Sequence, residues 1–100
     1  MTTIEDKLYR MSPDQLRALF LLAKSKDGII SSTDSAPQIG KNGKSLGGLF
    51  SSLSRQRVGG QSLVLPWGRP VSGHGLRWRL NEKLMTKQRL LVITKELLAI

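Results

Sequence analysis

The stretch Gln38-Ile39-Gly40-Lys41-Asn42-Gly43-Lys44-Ser45 (QIGKNGKS) decides how the chain is read, because it ends in the Gly-Lys-Ser that closes a phosphate-binding loop. A nucleotide loop needs a glycine separated by four residues from that Gly-Lys-Ser, so that backbone amides can wrap the phosphates. Gln38 holds that position, and its Cβ opposes such a wrap. The loop should also follow a buried strand, whereas Ser31-Ser32-Thr33-Asp34-Ser35-Ala36-Pro37 is polar. No Asp or Glu lies between Ser35 and Asn81 to hold a magnesium ion. The stretch is therefore read as a turn, Gly40 to Gly43, in which Asn and Gly accept left-handed backbone, followed by a helix.

That helix is expected over residues 44–56. Leu46, Leu49, Phe50 and Leu53 recur at i, i+3, i+4, i+7 and make its apolar stripe. The opposite face carries Lys44, Ser45, Gly47, Gly48, Ser51, Ser52 and Arg55. Glycine and serine are poor helix-interior residues, and a face needing only solubility would carry Glu, Lys or Gln. Small residues flanked by cations allow a close approach of backbone to a partner, or tight packing on a neighbouring helix.

Upstream, Ile4, Leu8 and Met11 have helical spacing, which predicts a short helix or arm within residues 1–11. Ser12-Pro13-Asp14-Gln15 is a helix start: Ser12 caps, Pro13 suits the first helical position and Gln15 completes a capping box. Leu16, Leu19, Phe20 and Ala23 form the next stripe, widened by Leu21 and Leu22, and Gly28 ends the helix. Ile29-Ile30-Ser31 reads as a very short strand. Ser32 or Ser35 can cap a short second helix reaching Ile39, with Pro37 in its first turn.

Downstream, residues 57–61 read as a connector and Ser62-Leu63-Val64-Leu65 as a strand closed by Pro66-Trp67. Leu76-Arg77-Trp78-Arg79-Leu80 alternates, placing Leu76, Trp78 and Leu80 on one face and Arg77 and Arg79 on the other. The Gly-rich stretch from Trp67 to Gly75 joins the two as a long hairpin loop. Asn81 can cap a last helix over residues 82–100, with Leu84, Leu91, Ile93, Leu97 and Leu98 as its apolar side.

One hundred residues make a single domain with a modest core. There is no cysteine, so disulfides, thiolate metal sites and thiol nucleophiles are excluded. No stretch has the length of a membrane span, and the polar, acidic start does not read as a signal peptide. A cytoplasmic protein is expected. The net charge of +9 points to a polyanionic partner. Its distribution sharpens this: Lys41, Lys44, Arg55, Arg57, Arg69, Arg77 and Arg79 lie in the acid-free middle, while all seven acids lie outside it.

The order helix, short strand, short helix, turn, helix, hairpin, terminal helix resembles the winged helix-turn-helix superfamily over Ser12 to Leu80. The resemblance implies an α+β, mostly helical fold with a two-stranded hairpin wing and a C-terminal helix. It implies a DNA-binding transcriptional regulator or accessory factor, associated with the nucleoid. Helix 44–56 would enter the major groove of double-stranded DNA, with hairpin 62–80 as the wing. On this reading Lys44, Ser45, Gly48, Ser51, Ser52 and Arg55 face the groove, and Arg55 suits a bidentate guanine contact. Lys41 and Asn42 clamp the backbone, Arg69 and His74 lie in the wing, Arg77 and Arg79 lie along its strand, and Arg57 adds a further cation. The terminal helix either packs on the domain or makes a homodimer contact. The alternative is a winged-helix module for a protein or RNA partner.

His74 is the only histidine, with no cysteine or nearby carboxylate, so no metal site is expected. No nucleophile, base and orienting acid can be assembled, so neither an enzyme nor a cofactor is expected. Trp78 falls on the core face of its strand. Trp67, opening the loop, suits base stacking and packing equally.

Overall fold

The computed structural model describes residues 4–31, 43–68 and 77–100. Over these the chain is a small α+β fold with helices α1 (Ile4–Tyr9), α2 (Pro13–Lys24), α3 (Gly43–Arg55) and α4 (Lys87–Leu98). The strands are β1 (Ile29–Ser31), β2 (Arg57–Val58), β3 (Gln61–Ser62), β4 (Val64–Pro66) and β5 (Arg77–Leu80). The expected second helix, residues 40–42 of the expected turn, residues 69–75 of the expected hairpin loop and Leu76 at the head of the last strand lie outside the described residues, and Gly43, expected in the turn, is the first residue of α3.

Ser12 starts α2 as its sequence requires. Its hydroxyl accepts from the Gln15 amide at 3.2 Å, and the Gln15 side-chain oxygen accepts from the Ser12 amide at 3.1 Å. Leu16, Ala18, Leu19, Leu21, Leu22 and Ala23 are buried, because α4, α3 and β5 pack around this helix. Phe20 is only half-buried, and the Lys24 ammonium sits 5.1 Å from its ring centroid. The helix ends at Ser25, earlier than Gly28, where the Ser25 amide and hydroxyl both donate to the Leu22 carbonyl. Gly28, with φ of 68°, then turns the chain into β1.

The expected strand 62–65 is two strands in two sheets. Gly59 and Gly60, at φ of 61° and 82°, close a tight turn that pairs β2 with β3. A bend at Leu63 breaks this ribbon, and β4 then pairs with β5. β5 is central in a three-stranded antiparallel sheet of order β1–β5–β4. Trp78 and Leu80 face inward, at 3% and 1% exposure, and Trp78 stacks on Phe50 of α3 with ring centroids 5.8 Å apart.

The last helix begins later than Asn81. The Asn81 side chain accepts from the Lys83 amide and donates to the Ser62 carbonyl, so it closes a single turn and ties it to β3. Met85 is buried, Thr86 caps the true helix by accepting from the Arg89 amide, and the Lys87 ammonium donates to the Ser25 carbonyl. Leu90, Ile93 and Thr94 are the buried side of α4, which packs on α2. The Thr94 hydroxyl is satisfied by the Leu90 carbonyl at 2.8 Å. The expected packing of this helix on the domain is thus present.

Candidate nucleic-acid interface

The apolar stripe of α3 fixes where its polar face points. Phe50 and Leu53 are buried and Leu49 is half-buried against the core. Gly48, Ser52 and Arg55 are therefore exposed on the other side, with Ser51 half-buried beside them, at the spacing that lines one helix face. Among the described residues a Cβ built on Gly48 would meet nothing within 4 Å, so no described neighbour packs on Gly48 and the helix backbone is bare toward them there. Ser54 belongs to the inner edge: its hydroxyl donates to the Ser51 carbonyl, and its own carbonyl accepts from the Ser62 hydroxyl at 2.7 Å, fixing the end of α3 to β3.

Alternation along β5 puts Arg77 and Arg79 on the outer face of the sheet, both half-buried. The β4–β5 ribbon runs past Pro66, since the Trp67 amide donates to the Arg77 carbonyl and the Arg77 amide to the Gly68 carbonyl. Trp67 then lies on the same outer face, diagonal to Arg79, which stands opposite Leu65. The Arg79 guanidinium rests over the Trp67 ring, and Trp67 keeps 41% of its surface exposed. Arg77 lies along Gly68: a Cβ there would stand 3.9 Å from a terminal guanidinium nitrogen. Arg77 Nε is buried with no hydrogen-bond partner among the described residues.

Three of the carboxylates have partners away from these cations. Asp14 pairs with Arg17 at 3.3 Å, Glu5 reaches Arg89 at 4.0 Å, and Glu82 accepts from the Lys87 amide. Among the described residues no carboxylate pairs with Arg55, Arg57, Arg77 or Arg79.

Lys41, Asn42, Arg69 and His74 lie outside the described residues. Lys44 and Ser45 stand in the first turn of α3, with side chains outside the described set. Arg57 is exposed at the start of β2. Two features of this surface were not expected from the sequence. The brace of Trp67 by Arg79 needed the register of β4 carried beyond Pro66, which alternation of Leu65 and Trp67 encodes. The bareness of Gly48 has no sequence signal separate from that of a packing glycine.

Among the described residues, no three His, Asp or Glu side chains gather as for a metal ion, and no helix is long and apolar enough to cross a membrane. An exposed helix face of small residues with a cation at its end can seat a phosphate backbone and admit it close to the main chain; Trp67, Arg77 and Arg79 form a second surface on the outer face of the sheet, the face opposite the one that packs Trp78 on Phe50. No protein family, no curated protein and no solved structure matches the chain.

Proposed function

We propose that the chain is a winged-helix protein that binds duplex DNA as a regulator or accessory factor, without catalysis. Helix α3 is the groove-entering element, and the β4–β5 ribbon with its connecting loop is the wing. The strand order β1–β5–β4, with α3 leading toward a hairpin that closes on the strand after α2, supports this reading. The observation that carries it is the outer face of α3. Gly48, Ser52 and Arg55 are exposed there, the backbone is open at Gly48, and Arg55 has no carboxylate partner among the described residues.

In this arrangement Arg55 is the side chain placed for a base-edge contact, and Arg57, Arg77 and Arg79 contact phosphates. Wing and helix together neutralise several backbone charges, so binding must weaken with salt. The test is fluorescence anisotropy of labelled random-sequence duplex over a range of salt. A log–log slope of about −3 to −6 is expected, each neutralised phosphate contributing about 0.9. Arg55→Ala should weaken binding by about 1–3 kcal/mol if Arg55 reads a base. Absence of duplex binding at low salt sinks the reading and leaves the same face to an acidic protein or to RNA.

A further inference from the structure

The sequence places Lys7 and Arg10 in a mixed-charge N-terminal segment and Arg57 in a connector far along the chain. The fold brings them together. Leu8 is fully buried, which anchors α1, and the Arg10 and Met11 amides close a turn onto the Lys7 and Leu8 carbonyls. Lys7 and Arg10, at i and i+3, share one side of that turn. Across from it α3 ends at Arg55, the Gln56 amide donates to the Leu53 carbonyl, and Arg57 opens β2. Between the two corners runs an open groove of about 420 Å³, lined by Lys7, Arg10, Met11, Gln15, Gln56 and Arg57.

We propose that this groove is a phosphate-binding site. Three of its six lining residues are cations, two are primary amides and none is acidic. The side-chain oxygen of Gln15 is already taken by the Ser12 amide, so the amide end it has left for the groove is a donor. Of the nearby carboxylates, Glu5 lies 4.0 Å from Arg89 and Asp14 3.3 Å from Arg17, and Asp6, beside Lys7, has a partner of its own. Like charges converging on one concave surface raise its potential, and an anion carrying several oxygens relieves it while accepting from both guanidinium groups. Phosphate fits better than a carboxylate, since it offers acceptors in more directions to a ring of donors.

The phosphate can belong to a nucleic-acid backbone, which rests on the function proposed above and extends its contact surface past the end of α3. It can equally be a free polyphosphate. The experiment uses the full chain, isotope-labelled, and the variant Lys7→Ala/Arg10→Ala, which leaves the α3 face and β5 untouched. Circular dichroism confirms the fold of the variant. Inorganic tripolyphosphate is titrated by NMR, and duplex DNA by anisotropy against salt.

Tripolyphosphate should shift the Lys7, Arg10, Gln56 and Arg57 amides in the native chain, and the Gln56 and Arg57 shifts should vanish in the variant. Duplex binding by the variant should weaken about tenfold, with its salt slope flattened by about 0.9 for each phosphate no longer neutralised. If tripolyphosphate binding is abolished and duplex binding is unchanged, the groove takes free phosphate. Groove shifts with no duplex binding by the native chain overturn the DNA reading and leave the groove standing. Absence of groove shifts, together with equal duplex binding by native chain and variant, overturns the groove alone.

Discussion

The Arg79 guanidinium lies 4.4 Å from the centre of the Trp67 ring, and both side chains stand on the outer face of the β4–β5 ribbon. Trp78, one residue before Arg79, points the opposite way into the core at 3% exposure. The two tryptophans therefore report on different sides of one sheet. Iodide should quench Trp67 and spare Trp78, and Trp67→Phe should leave only blue-shifted, unquenched emission. Duplex DNA should change the Trp67 signal alone. Equal quenching of Trp67→Phe and the native chain would contradict this placement.

Gly48→Ala separates stability from binding. The added Cβ meets nothing within 4 Å, so the fold should gain about 0.5–1 kcal/mol from helix propensity. Urea denaturation measures that gain. If the bare backbone admits a phosphate or base edge, duplex affinity should fall in the same variant. A stabilised protein with undiminished affinity argues that α3 does not approach its partner at Gly48.

Phe50→Ala and Arg55→Ala, both on α3, should behave oppositely. Phe50 is fully buried against Trp78, and its truncation should cost about 3–5 kcal/mol. That is a large share of the roughly 5–15 kcal/mol typical of small domains. Arg55 is exposed, and its removal should change stability by no more than about 0.5 kcal/mol. Chemical denaturation of both variants checks the contrast.

Ser12→Ala removes the hydroxyl that accepts from the Gln15 amide and should cost about 1 kcal/mol. For a domain of this size that lowers the melting midpoint by about 4–8 °C. Ser12→Gly should cost only a few tenths of that energy, because glycine is itself a tolerated cap. Thermal melts of the two variants decide it.

The β2–β3 turn should accept Gly59→Asn and reject Gly59→Val. Position 59 has φ of 61° and open space around it, so the cost is conformational and not steric crowding by neighbours. Asn visits that left-handed region readily, and Asn-Gly is a favoured hairpin pair. Valine there should cost about 1–2 kcal/mol. Denaturation midpoints that fall equally for both would contradict the turn.

Local rules made much of this fold legible. The Ser12 capping box, the stripe of α3 and the alternation of β5 each carry their signal within a few residues. The outer cations Arg77 and Arg79 and the exposed Ser52 and Arg55 followed from that periodicity alone. The start of α4 did not, because Asn81 and Thr86 are both capping residues. The choice between them rests on burial of Met85 and on the Asn81 bond to the Ser62 carbonyl. The β2–β3 hairpin was marked by Gly59-Gly60, yet its two-residue strands are too short to show a period of two. The meeting of Lys7 and Arg10 with Arg57 is purely tertiary, and no local pattern encodes it.

The pairing of β1 with β5 has a kinetic consequence. Ile29 stands opposite Arg79, so this ladder closes a loop of about fifty residues. The chain entropy given up in that closure is about 3.5 kcal/mol, taking the logarithmic length dependence. Helices α2 and α3 can form before that cost is met, whereas β5 has both of its neighbours only afterwards. The strand bearing Arg77 and Arg79 is thus expected to be assembled late and to exchange its amide hydrogens early. A polyanion held by those arginines would act as a latch on the slowest-closing seam of the molecule, lengthening the lifetime of the folded state more than it hastens folding.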